Sequence, residues 1–137
     1  MDPLGNEKMF GFLRTAMDAS SMNHQVSASN LANIDTPGYK ARKMDFEAIL
    51  QDFQEQEAMQ PPEMSAGNRS LPPSQPLNFK DYVVEQDTTH LTERFDGNNV
   101  NLEKEMAQMA KMRGRFQLAS MFMTRKLKLL NETIMSR

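Results

Sequence analysis

Along residues 3–34, apolar side chains recur on a seven-residue spacing. Phe10, Met17, His24 and Leu31 make one row, and Leu13, Ser20, Ser27 and Ile34 make the other. A seven-residue period keeps both rows on one helix face. The seam weakens in its second half, where His24 and Ser27 replace apolar residues. Asp2 can cap and Pro3 is tolerated in a first turn, so a long helix over 3–34 is predicted. The same period is stronger over 101–134. Leu102, Met109, Phe116, Met123 and Leu130 form one row there, and Met106, Arg113, Ser120, Leu127 and Ile134 form the other. Asn101 is a candidate cap. Glu103 and Glu105 fall in the favourable first turn, and Arg125, Lys126 and Lys128 lie towards the far end, as the helix dipole prefers.

Between these helices the pattern changes. Thr36-Pro37-Gly38-Tyr39 reads as a turn, with Pro37 in its second position and Gly38 free to take the positive φ of a type II turn. Phe46, Ile49, Leu50 and Phe53 share one face of a shorter predicted helix over 45–57. Residues 58–80 hold Pro61, Pro62, Pro72, Pro73 and Pro76, which exclude a regular helix and predict a linker. A short strand is predicted around Tyr82-Val83-Val84, and a turn at Asp96-Gly97-Asn98-Asn99. The expected fold is mainly α. Long N- and C-terminal helices form a coiled-coil-like hairpin, with a short helix, a Pro-rich linker and a small β element between. Residues 1–137 are read as one elongated domain: helix 3–34, turn and short helix 35–57, linker and loop 58–100, and helix 101–134.

Each long helix spans roughly 45–50 Å at 1.5 Å per residue. A lone two-helix unit of this kind leaves much of its apolar surface uncovered, so partners are expected. The 13 methionines supply adaptable contacts, although methionine also serves as an ordinary helix former. The net charge of −2, with no basic patch interleaved with aromatics, gives no ground for nucleic-acid binding. The sequence has no cysteine, which excludes disulfides and cysteine-based zinc sites. No apolar run approaches the roughly 20 residues of a membrane span. The N-terminus lacks the basic and apolar segments of a cleavable secretory signal.

Candidate chemistry is sparse. His24 and His90 lie far apart and read as a polar helix contact and a solvated loop residue. Glu47, Asp52, Glu55, Glu57, Glu103 and Glu105 are spaced like solvated faces and caps, not a paired acid and base. Ser20 and Ser21 have no base in the pattern, and there is no glycine-rich phosphate loop. No catalytic, cofactor or metal residue is assigned, and the chain is read as a non-enzyme. Arg113 and Ser120 interrupt the second seam, and Gly114 lowers helix propensity beside them by about 1 kcal/mol, which suits close packing or a bend.

The informative stretch is Ser27 to Lys40. Its Ser27, Ala28, Ser29 and Ala32 permit close helix approach, and Asn30 and Asn33 can bond backbone groups at the helix end. Within it, Asn30-Leu31-Ala32-Asn33, then Ile34-Asp35, then Thr36-Pro37-Gly38-Tyr39 resembles the N-terminal motif of the flagellar axial proteins: rod, hook and hook-associated proteins. The short middle segment argues against the members that carry a large β domain. Asp35 to Tyr39, Asp45-Phe46 and Asp96-Gly97-Asn98-Asn99-Val100-Asn101 are similar to the FlgB type of proximal-rod protein. The FlgC type, which usually breaks up the Thr-Pro-Gly-Tyr segment, is the alternative within the family. The heptads alone also fit a cytoplasmic coiled-coil adaptor or secretion chaperone.

The resemblance implies a structural subunit of the basal-body proximal rod, part of a tubular drive shaft that transmits torque and encloses an export channel. It implies passage through the flagellar type III export apparatus without a cleaved signal peptide, and residence in the periplasmic rod. Its partners would be copies of itself and other rod proteins, with a rod adaptor protein and a membrane-ring protein at the base. No cofactor, nucleic acid or membrane span is implied. Subunit packing is assigned to Phe10, Leu13, Met17 and Leu31 on the first helix, and to Leu102, Met106, Met109, Phe116, Met123, Leu127, Leu130 and Ile134 on the last.

Overall fold

The computed structural model describes residues 3–58, 77–85 and 94–135. Two long helices dominate it: α1, Pro3–Ala32, and α3, Leu102–Met135. They run antiparallel. The Asn30 side chain meets Glu105, Asn23 meets Gln108, and Met17 lines a shared groove with Met123 further along. Between them come β1, Arg42–Met44; α2, Phe46–Ala58; a single 3-10 turn, Phe79–Tyr82; and β2, Val83–Glu85. Most of the predicted Pro-rich linker, residues 59–76, and His90 lie outside the described residues.

Each boundary has a local cause. The predicted N-terminal helix stops two residues early, at Ala32. Its last carbonyls are taken by three-residue bonds, Asn33 N–H to Asn30 O and Ile34 N–H to Leu31 O, which tighten the chain out of the α-helix. Tyr39 N–H donates to Thr36 O across Gly38, whose φ is +71°, and so closes the turn. Asp45 caps α2 through Ala48 N–H at 3.0 Å, and Asn101 caps α3 through Lys104 N–H at 3.0 Å. Tyr82, predicted in a strand, belongs to the 3-10 turn, and the strand starts at Val83.

β1 is not expected from sequence. It pairs antiparallel with β2, with Lys43 opposite Val84. Its other edge is covered by side chains of α1. Asn30 bonds both the N–H and the C=O of Arg42, and Asn23 donates to Met44 O. Asn23 and Asn30 stand seven residues apart on one helix face, a spacing that serves alternate residues of a strand.

The core lies where α1, α2 and the hairpin converge on α3. Leu13, Ala16, Ala19, Met44, Phe46, Ile49, Met112 and Ala119 form it. On α1, the buried row is Leu13, Ser20 and Ser27, backed by Asn23 and Asn30. His24 is exposed and Phe10, Met17 and Leu31 are half-buried. α2 packs its Phe53 against Phe12, with ring centroids 6.3 Å apart, and over Gly11. A methyl group at Gly11 would stand 2.9 Å from Phe53 Cζ, so a side chain at residue 11 would force the Phe53 ring to shift. Arg115 of α3 bonds Glu47 of α2 at 2.8 Å while stacking over Phe46 at 4.1 Å. The guanidinium hydrogen bond holds the Glu47 carboxyl below its usual range.

Met112 is 1% exposed at the centre of the α1–α3 contact. Met112→Ala should cost about 2–5 kcal/mol, read by urea denaturation of the helical signal. The Tyr82 hydroxyl donates to Asp52 at 2.6 Å, and that bond pushes its pKa up to about 12. A raised phenol pKa stabilises the fold fully below the unfolded value of 10 and ceases to do so as pH rises through about 12. Tyr82→Phe should therefore flatten the loss of stability over that alkaline window.

Candidate assembly site: a polar joint and two apolar flanks

At one end of the hairpin, the helix-end motif and the segment before α3 interlock. Asn30 is fully buried and uses all four of its hydrogen-bonding positions. Its Nδ2 donates to Arg42 O at 2.7 Å and to Glu105 Oε1 at 2.9 Å. Its Oδ1 accepts from Arg42 N–H at 2.9 Å and from the Tyr39 hydroxyl at 3.2 Å. Glu105 is thus no solvated cap residue, as its spacing suggests, but a carboxylate only 3% exposed. Burying it depends on such partners.

Asn98 closes the joint from the other side. Its Nδ2 faces the carbonyls of Asn33, Ile34 and Thr36 at 2.9–3.0 Å, in the turn that follows α1. Its Oδ1 accepts from Val100 N–H at 2.8 Å. Asn99 Oδ1 accepts from Ala41 N–H at 2.6 Å, and Gly38 N–H donates to Asp96 O at 2.8 Å. Arg94 reaches Ile34 O, Asp35 and Asp96. Gly97 takes φ +76°, with Gly38 Cα 3.7 Å from where its Cβ would be. Two glycines with positive φ let the two turns touch. The stretch 94–101 therefore finishes α1 and starts α3 together.

The motif residues are divided by this joint. Asn30 lies inside it, Tyr39 and Asn33 are half-buried, and Thr36, Pro37 and Gly38 form its exposed rim. Asn33 donates to Ser29 O and accepts from the Thr36 hydroxyl, which fixes the turn from within. Leu31 is half-buried and Ala32 exposed.

Away from the joint, the residues assigned to subunit packing fall into three groups. Leu13 is buried in the chain's own core. Phe10, Met17, Leu31, Met109, Met123 and Leu130 are half-buried. Leu102, Met106, Phe116, Leu127 and Ile134 are exposed, at 40–73%. The heptad rows predicted on α3 are therefore not the strip that faces α1. Glu105, Met112 and Ala119 form that strip. The reason lies on α1, where Ala19, Ser20, Asn23 and Ser27 are too small to cover more than a narrow strip of α3. At roughly 100° per residue, Leu102, Phe116, Leu127 and Ile134 lie to one side of Met112. Leu118, Phe122 and Leu129, also exposed and not singled out from sequence, lie to the other. Gly114 marks no close approach among the described residues, since nothing lies within 4 Å of a Cβ built there.

Nothing in this geometry resembles a reaction centre. Among the described residues there is no group of three or more His, Cys, Asp or Glu side chains able to hold a metal, and no helix long and apolar enough to cross a membrane.

Comparison with known proteins decides what the joint belongs to. Residues 12–40, which run from the α1 core into the turn, match the family model for the flagella basal body rod protein. A flagellar basal body rod protein FlgB of Bacillus subtilis is 30% identical over 105 residues, 77% of this chain and 76% of the relative. The FlgB of Aeromonas hydrophila is 30% identical over 122 residues, 88% of each chain. That of Escherichia coli is 26% identical over 117 residues, 79% of each. The chain belongs to the FlgB family of flagellar basal body rod proteins. It is a structural rod subunit, a class that is not an enzyme class, and it associates with other rod proteins of the basal body. The FlgC-type alternative and the cytoplasmic-adaptor reading of the heptads give way to this one.

Asn98→Ala should destabilise the joint by about 1–3 kcal/mol, because it removes a fully buried amide that ties the turn after α1 to Val100 N–H. Asn98→Asp should cost more, since it turns an acceptor towards three carbonyls. Thermal melts of the two variants, followed by circular dichroism, give the order.

Proposed function

We propose that this rod protein transmits torque as one stave of a tubular shaft, and that its hairpin helps enclose the channel through which later subunits pass. The observation that supports this is the double apolar flank of α3. Leu102, Met106, Phe116, Leu127 and Ile134 on one side, and Leu118, Phe122 and Leu129 on the other, are too many uncovered apolar residues for a hairpin that acts alone. A helix with partners on both sides suits a tube wall. Phe10, Met17, Leu31, Met109, Met123 and Leu130 border the same surfaces and extend the contact. The whole of 1–137 acts as one elongated rod-core unit, stiffened by the joint. The subunit leaves the cytoplasm through the flagellar type III export apparatus, without cleavage of a signal, and ends in the periplasmic rod. A rod adaptor protein and a membrane-ring protein hold it at the base.

Deletion of the gene in its host, with electron microscopy of the cell envelope, tests the reading. Rods and hooks should be lost, the membrane ring retained, and both restored by the gene. Normal flagella, with no second gene copy, would refute it. Leu127→Asp and Phe122→Asp should each leave the helical spectrum of the purified chain unchanged and prevent its recovery in isolated rods. Normal incorporation of both would remove α3 from the subunit contact.

A further inference from the structure

Phe95 is an aromatic side chain at 115% relative exposure, fully projected into solvent. The backbone that carries it is held rigidly. Gly97 N–H donates to Arg94 O at 2.8 Å, Arg94 N–H to Asn98 O at 3.2 Å, and Asn98 N–H to Asp96 Oδ1 at 3.1 Å. Gly38 N–H ties Asp96 O to the joint. A ring on a preorganised turn loses little conformational freedom on binding and offers a large apolar area, the properties of an interface anchor.

A socket of matching chemistry lies elsewhere on the same chain. Between α1 and the β1–β2 pair runs a groove of about 390 Å³, lined by the apolar Met22, Val26 and Val83 together with polar side chains that include Arg42 and Lys80. The volume accommodates a phenyl ring, and a thioether beside a ring edge is a favourable contact. The charges correspond as well. Phe95 is flanked by Asp96 and by Asp35, whose side chain is 91% exposed; Arg94 pairs with both and leaves the knob one negative charge in excess, and the socket lining includes Arg42 and Lys80.

We propose that Phe95 of one copy seats in the Met22–Val26–Val83 groove of a neighbouring copy of this chain, with Asp35 and Asp96 facing Arg42 and Lys80. The inference rests on the assembly reading above and adds a contact that α3 does not make. Knob and socket are different patches of one molecule, so the contact is heterologous. It passes from copy to copy and does not close as a two-fold dimer.

The test is photocrosslinking in the flagellated host, with the full-length chain carrying benzoylphenylalanine in place of Phe95 as its only copy. Irradiation should give a species of twice the chain's mass, in which position 95 of one copy is joined to Met22 or Val26 of another. Lys80→Glu should reduce its yield severalfold. Phe95→Ala should keep the helical spectrum, because the ring is fully exposed among the described residues, and should lower recovery in rods roughly tenfold or more. A crosslink to another surface or to a different protein, no crosslink in cells with normal rods, or normal recovery of Phe95→Ala would each overturn the proposal. Rods that lack the chain altogether would overturn the assembly reading, and this contact with it.

Discussion

The four-way hydrogen bonding of Asn30 is the interaction on which the rest of the structure depends. One buried amide joins the end of α1, the first residue of β1, the turn tyrosine and the first turn of α3. A hydrophobic contact could hold these elements near one another, but it could not choose their register. An amide with two donors and two acceptors, all satisfied, accepts one arrangement and penalises the others. Asn23 repeats the device one heptad back, donating to Met44 O and accepting from Gln108. The α1 side of the seam is otherwise made mostly of small residues, Ala16, Ala19, Ser20 and Ser27, which would tolerate sliding.

This division of labour explains why so much apolar surface remains outside. The chain's own register is fixed by amides at one end, so its core can be narrow: Met112, Ala119 and Leu13 suffice along the hairpin. The large side chains of α3 are then available on both flanks. In a rod subunit these two requirements are complementary. The part that must be identical in every copy is polar and directional, and the part that must adapt to neighbours is apolar and rich in methionine.

Much of the architecture was legible in the sequence, and the reasons for the failures are physical. Two long helices, a short helix, a turn at Gly38 and a strand near Val83 all follow from period, caps and turn chemistry. β1 did not, because Arg42-Lys43-Met44 has no strand pattern and exists only between β2 on one side and two asparagines on the other. The joint was half legible: the helix-end motif and the Asp96–Asn101 stretch could each be singled out, but not that they touch. The buried strip of α3 was missed because a heptad reading gives burial to the most apolar row. Here Glu105 is buried by its partners, and Phe116 and Leu127 are left out because α1 is too narrow to cover them. The Asn23–Asn30 spacing was the available signal for this. Phe95 carried none, since a lone aromatic in a turn reads the same whether it is covered or not.

The bond between Asn30 and Glu105 spans 75 residues of chain. Contacts of that separation form late, because a long loop must close before they contribute anything. Whenever this chain is delivered from its N-terminus, Asn30 meets Tyr39 and Arg42 early, but its bond to Glu105 stays open until the last quarter of the polypeptide arrives. Completion of the joint is therefore a report that α3 has arrived: a chain cut short before Glu105 holds α1 and the turn but no lock.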